Sequence, residues 1–270
     1  MRRTFTKRYR PGARGSPALE ALSLRWLGEV PDGVETVKVR SVGDDRLELE
    51  YLPTVPPAEG AAETLGRALA RTHAAGAAHF GAPPPGWDGP GGIGHAPLSF
   101  VRQGGARWGE FYAAERVLPY ARAAHRLGQL PPDGLAVLEH LSERLADGLF
   151  DAPQPGLLAA GAAARLHGDL WTGNVVWTEP PPGGARPWTG AALIDPAAHG
   201  GHAETDLAML ALFGLFGLTE LMAAYDEVSP LAEGWRERVG LHQLFPLLVH
   251  AALFGGSYGP RAVDRARRLL

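Results

Sequence analysis

The feature that most constrains how this chain can fold is an acidic residue followed five positions later by an amide, in the segment His167-Gly168-Asp169-Leu170-Trp171-Thr172-Gly173-Asn174. A second acidic residue, Asp195, follows an apolar stretch with the character of a strand. Such side chains act together only when they are held in a fixed mutual geometry. The sequence therefore predicts a loop and a neighbouring strand end that bring Asp169, Asn174 and Asp195 to one place.

These three side chains suit phosphoryl transfer. That reaction depends on positioning and on charge neutralisation, so it needs an acceptor for a hydroxyl proton and oxygen ligands for a divalent metal. We predict Asp169 as the catalytic base and Asn174 and Asp195 as magnesium ligands. Each residue alone fits a turn, a loop or a strand end equally well, but the eight-residue motif as a whole is specific.

The composition sets outer limits on the fold and its partners. A chain of 270 residues, 45% of them hydrophobic, suits one large domain or two unequal lobes around a cleft. The net charge of −3 gives no reason to expect nucleic-acid binding. The absence of cysteine excludes disulfides and fits a reducing compartment, so we expect a cytoplasmic protein. No apolar segment is long enough to predict a signal peptide or a membrane span.

The order of predicted elements describes two unequal parts. Residues 1–52 contain a strand (4–10), a loop (11–15), a helix from Ser16-Pro17 to about 28, and strands at 34–42 and 46–52. The second part, residues 53–270, begins with the Pro-rich segment 53–57, which links the two parts. This larger part contains a long Pro/Gly-rich loop (81–97), short strands around the motif, a hairpin loop (179–190) and helices at 59–75, 106–127, 133–147, 204–216, 218–226, 235–253 and 260–270. We expect an α+β fold with two lobes.

The motif also resembles a known family. His167-Gly168-Asp169 with Asn174 is similar to the aminoglycoside-phosphotransferase and choline-kinase superfamily, and the intervening Trp171-Thr172-Gly173 resembles the fructosamine kinase (ketosamine-3-kinase) family. Further segments similar to that family are Trp108–Phe111, Arg116–Pro119, Asp195–Ala197, Gly201–Met209 and Leu253–Tyr258. The resemblance runs from about Lys7 to the C-terminus.

The resemblance implies a protein-kinase-like two-lobe fold that uses ATP and Mg²⁺. It gives Asp169, Asn174 and Asp195 the roles already predicted, and it places Lys7 on the nucleotide phosphates with Glu20 holding it. A strand lysine and a helix glutamate are a general kinase device, and only two of the 26 basic residues are lysines. The main-chain atoms of Glu50 and Leu52 would bind adenine.

Residues near the motif are candidates for the phosphate acceptor site. Trp171 could stack on the apolar side of a sugar. His202 and Glu204 are tentative acceptor contacts, although an acidic residue at the start of a helix is also favoured by the helix dipole alone. Asp206 is expected to support the catalytic loop rather than to contact the substrate.

The chain departs from the kinase pattern at its N-terminus. Only six residues precede Lys7, whereas two strands and a Gly-rich loop precede the lysine strand of a typical kinase, so we expect a truncated N-terminal β-lobe. A misassigned start, a minimal active kinase and a loss of activity all remain open.

The function that the resemblance implies is ATP-dependent phosphorylation of the 3-hydroxyl of ketosamines such as fructosamine or ribulosamine adducts, in a deglycation role. The acceptor would be free or protein-bound, and the enzyme a monomer or a homodimer. The alternatives are another small-molecule kinase of the aminoglycoside or choline kinase type, and a pseudokinase that serves as a binding module.

Overall fold

A small lobe built on a β-sheet packs against a larger, mainly helical lobe in this computed structural model, which describes residues 3–10, 15–179 and 189–270. The predicted loop 11–15 and the predicted hairpin loop 179–190 fall largely outside the described residues. The expected α+β fold, with a short β-sheet lobe and a mainly helical lobe, is confirmed. No helix in the described ranges has the length and apolar character needed to cross a membrane.

The small lobe is a three-stranded antiparallel sheet with one helix on its inner face. It comprises β1 (Thr4–Arg8), α1 (Pro17–Gly28), β2 (Val39–Val42) and β3 (Arg46–Glu50), with strand order β1-β3-β2. Alternation along β3 buries Leu47 and Leu49 against Leu24 of α1. Lys7 of β1 is paired with Leu47 across the ladder. The predicted helix from Ser16-Pro17 is thus confirmed, and the predicted strand 4–10 is confirmed over Thr4–Arg8.

The large lobe surrounds the predicted catalytic segment with helices. Its elements are α2 (Ala61–Ala74), β4 (Gly91–Ile93), β5 (Ala96–Leu98), α3 (Trp108–Phe111), a π-helical segment (Tyr112–Val117), α4 (Leu118–Arg126), α5 (Gly134–Ala146), β6 (Ala164–Leu166), β7 (Val175–Trp177), β8 (Ala191–Leu193), β9 (His199–Gly201), α6 (Glu204–Phe213), α7 (Leu218–Val228), α8 (Trp235–His242), α9 (Leu244–Phe254) and α10 (Tyr258–Leu269). One buried cluster unites α3, α4, α5, α9 and α10, and a second unites α2, α6 and α7 with β7 and β8.

Two antiparallel strand pairs position the catalytic segment. β6 pairs with β9, and β7 pairs with β8. The motif loop therefore connects β6 to β7, and Asp195 stands two residues beyond the end of β8. The backbone N–H of Ile194 donates to the carbonyl oxygen of Asn174 at 3.1 Å, which extends the β7–β8 pairing to the two predicted metal ligands.

Part of the predicted strand 34–42 is wrong, because β2 begins only at Val39. The preceding residues run beside β8 instead. The backbone N–H of Val37 donates to the carbonyl oxygen of Leu193 at 3.1 Å, and the N–H of Leu193 donates to the carbonyl oxygen of Glu35 at 2.8 Å. An apolar, β-branched segment satisfies strand propensity in either pairing. The small lobe is thereby joined directly to the strand that precedes Asp195.

Two further predictions need correction. The long loop 81–97 contains an ordered hairpin, because β4 and β5 pair around Gly94. The single helix predicted for 235–253 is two helices, with Gln243 between α8 and α9. Pro246 explains this break, since it has no N–H to donate to the carbonyl of His242. That carbonyl instead accepts the Tyr112 hydroxyl at 3.1 Å.

Candidate active site

The catalytic loop turns through a glycine that no other residue can replace without strain. Gly168 has a φ of +81°, a conformation that L side chains rarely adopt. A Cβ at this position would lie 2.2 Å from the carbonyl oxygen of Ala197. The backbone N–H of Ala197 in turn donates to the carbonyl oxygen of His167 at 2.9 Å. The loop is therefore packed directly against the segment that follows Asp195.

Asp206, at the start of α6, binds the backbone of the same loop. Its two carboxylate oxygens accept the backbone N–H groups of His167 at 2.7 Å and of Gly168 at 3.0 Å. His73 Nε2 lies 3.2 Å from the carboxylate, and Tyr225 lies 2.9 Å from the other ring nitrogen of His73. Burial alone would raise the pKa of Asp206, but His73, His167 and the loop N–H groups hold it below its usual range. Asp206 is thus a buried carboxylate that supports the loop, in the position that we expected.

The predicted base and the predicted metal-binding amide contact each other. Asn174 Nδ2 donates to the carbonyl oxygen of Asp169 at 2.7 Å and to its carboxylate oxygen Oδ2 at 3.0 Å. Burial raises the pKa of Asp169 to about 6, with smaller contributions from the charges of Asp195 and Asp206 in the same direction. A carboxylate with this pKa is ionised at neutral pH and is well matched to accepting a hydroxyl proton.

Asp195, Lys7 and Glu20 meet in one ion-paired group. Lys7 Nζ lies 2.7 Å from Glu20 Oε2 and 2.9 Å from Asp195 Oδ1. Asp195 itself has a φ of +52°, uncommon for a residue other than glycine, which turns it out of the strand direction after β8. The two carboxylates raise the pKa of Lys7 despite its burial. Lys7 of the small lobe thus holds its positive charge beside Asp195, which follows β8.

A cleft of about 770 Å³ lies over these residues. Asp169, Asp195, Lys7 and Glu20 all line it, together with the hairpin turn Gly92–His95. These four predicted site residues, all with ionisable side chains, therefore line one cavity between the lobes. A cleft of this size can hold a nucleotide or a sugar-sized acceptor.

The donor atoms at and beside the cleft fit magnesium. Asp195 lines the cleft, whereas Asn174 does not line it but contacts Asp169, which does. Asn174 uses its Nδ2 on Asp169, and within the described ranges its Oδ1 accepts no hydrogen bond. The side chain of Asp195 is 45% exposed and binds Lys7 through Oδ1 only. An amide oxygen and a half-exposed carboxylate are hard ligands of the kind that Mg²⁺ takes with substrate phosphates and water.

Trp171 begins an aromatic surface beside the base. Its side chain is 37% exposed, and its ring meets Phe213 edge-on at 6.2 Å. The ring also covers Gly173, where a Cβ would lie 2.3 Å from a ring carbon, so the Trp171-Thr172-Gly173 sequence fixes the ring over the loop. An exposed aromatic face in this place can pack on the apolar side of a sugar.

The structure places His202 and Glu204 away from the cleft. Both are buried, and neither lines the cavity that holds Asp169. The Glu204 carboxylate accepts Arg238 Nη2 at 2.5 Å and Nε at 2.9 Å, and His242 Nε2 lies 3.2 Å from it. His202, Glu204 and His242 offer ligand atoms within 4.8 Å of one another. Because a guanidinium already binds both carboxylate oxygens, this cluster is better explained as a structural ion pair than as a metal site.

The two residues predicted to bind adenine lie at the end of β3. Neither lines the cleft described above. Arg40 pairs with the Glu50 side chain at 3.0 Å, and Leu52 packs on the small-lobe core with Ile194, the residue before Asp195. Among the described residues the Leu52 N–H has no hydrogen-bond acceptor, so it could serve a ligand.

Comparison with known proteins decides the family. The family model described as fructosamine kinase matches residues 14–270, which is nearly the whole chain. The chain belongs to the fructosamine kinase family. Its fold is protein-kinase-like, and it is a phosphotransferase that acts on a hydroxyl group.

Relatives and solved structures agree with this assignment. A probable ketoamine kinase of Escherichia coli (strain K12) is 34% identical over 241 residues, which cover 88% of this chain and 75% of the relative. The crystal structure of a "putative fructosamine-3-kinase" from Thermobifida fusca is 43% identical, with a TM-score of 0.84, and the match covers 98% of this chain and 85% of that one. The choline kinase LicA of Streptococcus pneumoniae, 15% identical with a TM-score of 0.57 over 99% of this chain and 85% of that one, shares the fold.

Sequence reasoning missed two parts of the site in this fructosamine kinase family member. The first is the hairpin turn Gly92–His95, which lines the cleft; its glycines and flanking prolines are equally typical of a loop. The second is Tyr9, whose hydroxyl binds Glu20 and which also lines the cleft. Tyr9 is two residues after Lys7, so both side chains lie on the same face of the strand, and this spacing could have predicted Tyr9 as part of the site.

Proposed function

We propose that the protein uses Mg-ATP to phosphorylate the 3-hydroxyl of a ketosamine, and that the product's instability returns the free amine. The observation that most supports this proposal is the meeting of Asp169, hydrogen-bonded to Asn174, with the Lys7–Asp195 pair in one cleft of a fructosamine kinase family fold. Fructosamine and ribulosamine adducts, free or on proteins, are the proposed acceptors. A cytoplasmic location and a monomer or homodimer belong to the same proposal.

In this proposal Asp169 accepts the proton of the attacking hydroxyl, and the Asn174 amide orients its carboxylate. Asn174 and Asp195 would hold magnesium, which neutralises phosphate charge when bound. Lys7, kept in place by Glu20, would bind phosphate oxygens of ATP. Each group contributes position and charge rather than covalent chemistry, as phosphoryl transfer requires.

Residues 1–52 and 53–270 are the proposed nucleotide-side lobe and catalytic lobe. Adenine would bind the main chain of Glu50 and Leu52, where β3 ends and the chain passes into the large lobe. The acceptor would lie on the other side of Asp169, against Trp171. His202 and Glu204 have no acceptor contact in this arrangement, because Arg238 and His242 surround them.

The decisive experiment is a panel of acceptors incubated with Mg-ATP and measured by mass spectrometry. We expect fructosyl-lysine or ribulosyl-lysine to gain one phosphoryl group, and the product to release lysine on warming because a 3-phosphate destabilises the adduct. Phosphorylation of kanamycin or choline alone would instead favour the wider superfamily activity. No gain on any acceptor, with no ATP binding, would favour the pseudokinase alternative.

The two lysines of the chain allow a controlled test of the nucleotide site. Lys7→Met should weaken Mg-ATP binding by about 10- to 100-fold, because a hydrogen bond to a charged group is worth about 1.5–3 kcal/mol. Glu20→Gln should show a smaller loss in the same direction. Titration calorimetry of Mg-ATP measures both, and Lys38→Met, which changes an exposed lysine, is the matched control. Equal losses in the Lys7 and Lys38 variants would contradict the assigned role.

A further inference from the structure

The helix α10 presents three arginines on one face without carboxylate partners in the part of the chain that the structure describes. Arg261, Arg265 and Arg268 follow Tyr258 at steps of three, four and three residues, so all four side chains share one side of the helix. Among the described residues, no carboxylate oxygen lies within 4.0 Å of the guanidinium nitrogens of these three arginines. We call these three residues the arginine face.

The surroundings of the arginine face keep its charge concentrated. Arg267, on a neighbouring side of α10, is neutralised by Asp133 at 2.7 Å and by Asp264 at 3.4 Å. Arg265 Nε donates to Gln243 Oε1 at 2.9 Å, a neutral partner that fixes the side chain without cancelling its charge. Burial, and then the charges of Arg261 and Arg268, lower the pKa of Arg265.

A continuous series of rings leads from the catalytic loop to this face. Trp171 meets Phe213 at 6.2 Å between ring centroids, Phe213 meets His250 at 4.8 Å, and His250 meets Tyr258 at 5.0 Å. Tyr258 is the first residue of α10 and shares the side of the helix on which the arginine face lies. A ligand with its reacting group at Asp169 can therefore follow these rings to the arginines.

We propose that the arginine face binds acidic residues that flank the modified lysine of a protein-bound ketosamine. The proposal rests on the proposed function and specifies its acceptor as a polypeptide. Guanidinium groups bind carboxylates in a planar, two-point geometry. At a rise of 1.5 Å per residue the arginines lie about 5–15 Å beyond Tyr258, a span that about four extended residues cover. A free ketosamine would be too short to reach them.

The test compares three synthetic peptides that carry one central fructosyl-lysine. Flanks on both sides, beyond two spacer residues, contain Glu, Gln or Arg, and free fructosyl-lysine is the fourth acceptor. The wild-type protein is expected to show the highest kcat/KM on the Glu peptide. Arg261→Glu with Arg268→Glu should lower that value by about fivefold, because two exposed ion pairs are lost, and should leave free fructosyl-lysine unaffected. Arg265 is kept because it supports Gln243.

The matched control reverses the same charge elsewhere. Arg25→Glu with Arg71→Glu, on α1 and α2, changes two arginines that form no ion pair among the described residues, and it should leave the peptide preference intact. The preference should also shrink at high ionic strength, since exposed charges are screened. Equal use of the three peptides, or the same preference in the α10 variant, overturns the proposal while free fructosyl-lysine still reports the proposed function.

Fluorescently labelled versions of the same peptides allow binding to be measured by anisotropy, which tests the arginine face without catalysis. If no ketosamine is phosphorylated, the proposed function fails, and tighter binding of the Glu peptide to wild type than to the α10 variant still supports the arginine face. If single-stranded RNA displaces the Glu peptide and itself binds more tightly, with an affinity that the α10 variant loses, the face binds nucleic acid and the peptide proposal is wrong.

Discussion

Asp169→Asn is expected to reduce kcat by about 10³-fold, the range that a positioned general base contributes. The substitution preserves the shape of the side chain and leaves an oxygen that can accept the Asn174 Nδ2 hydrogen bond. It removes the ionised carboxylate that takes the hydroxyl proton. Mg-ATP binding should therefore persist while turnover is lost, as calorimetry and a coupled kinase assay can measure together.

The pH dependence of kcat/KM is a second test of the role of Asp169. Because burial raises the pKa of Asp169 to about 6, the base is ionised and active above that pH and protonated below it. The value of kcat/KM, which reports the free enzyme, should be level above about pH 7 and fall about tenfold per unit below about pH 5. Asp44→Asn, at an exposed turn of the small lobe, is the control and should retain the wild-type profile. A variant at Asp169 with substantial kcat would refute the assignment.

Asp206→Ala should produce the largest loss of stability among single substitutions near the site. It removes the acceptor of two buried backbone N–H groups, those of His167 and Gly168, and the partner of His73. Leaving a buried donor without its acceptor costs about 1–3 kcal/mol for each group, so we expect a loss of about 3–5 kcal/mol in all. Urea denaturation measures the free energy of unfolding, and Asp44→Ala should change it by less than about 0.5 kcal/mol.

The effect of Asp206 also has a defined pH dependence. Its pKa is lower in the folded protein than in the unfolded chain, so its stabilisation is fully present above the unfolded value and is lost as the pH falls through the folded one. The difference in stability between wild type and Asp206→Ala should therefore narrow in acid. A difference that stays constant between neutral pH and pH 3 would mean that the carboxylate charge is unimportant. Asp206→Asn keeps one acceptor oxygen, so its free energy of unfolding should lie between those of wild type and Asp206→Ala.

The meeting of the proposed catalytic residues was predictable because they lie close together in the sequence. Asp169 and Asn174 lie in one loop, and Asp195 ends the next strand pair, so strand propensity and the motif were enough to bring them together. Asp206 was also predictable as a support, since the start of the following helix returns to the loop. The Lys7–Glu20 pair depended on family resemblance, because a strand residue and a helix residue are brought together only by the packing of α1 on the sheet.

Other features depend on tertiary contacts that no local pattern records. Glu204 was a tentative acceptor contact because it lies in the family-like segment Gly201–Met209, yet a distant arginine, Arg238 on α8, binds it inside the lobe. The segment before β2 has strand character in either of two pairings, and its contact with β8 was decided by the meeting of the lobes. The turn of the β4–β5 hairpin lies against α9, where a Cβ on Gly94 would be 3.6 Å from the Leu253 side chain, and local sequence does not predict this contact.

The ion-paired state of Lys7 has a consequence for the chemical lifetime of the protein. Sugars attach to amines through the neutral, nucleophilic form, and the carboxylates of Glu20 and Asp195 keep the Lys7 nitrogen protonated. The carboxylates thus lower the reactivity of this lysine, on which nucleotide binding is proposed to depend, towards sugar carbonyls. Under the proposed deglycation function, this ion pairing would protect the nucleotide-binding lysine of the enzyme from the adducts that the enzyme removes. Lys38 is the one other lysine of the sequence, so few lysine side chains are open to the same modification.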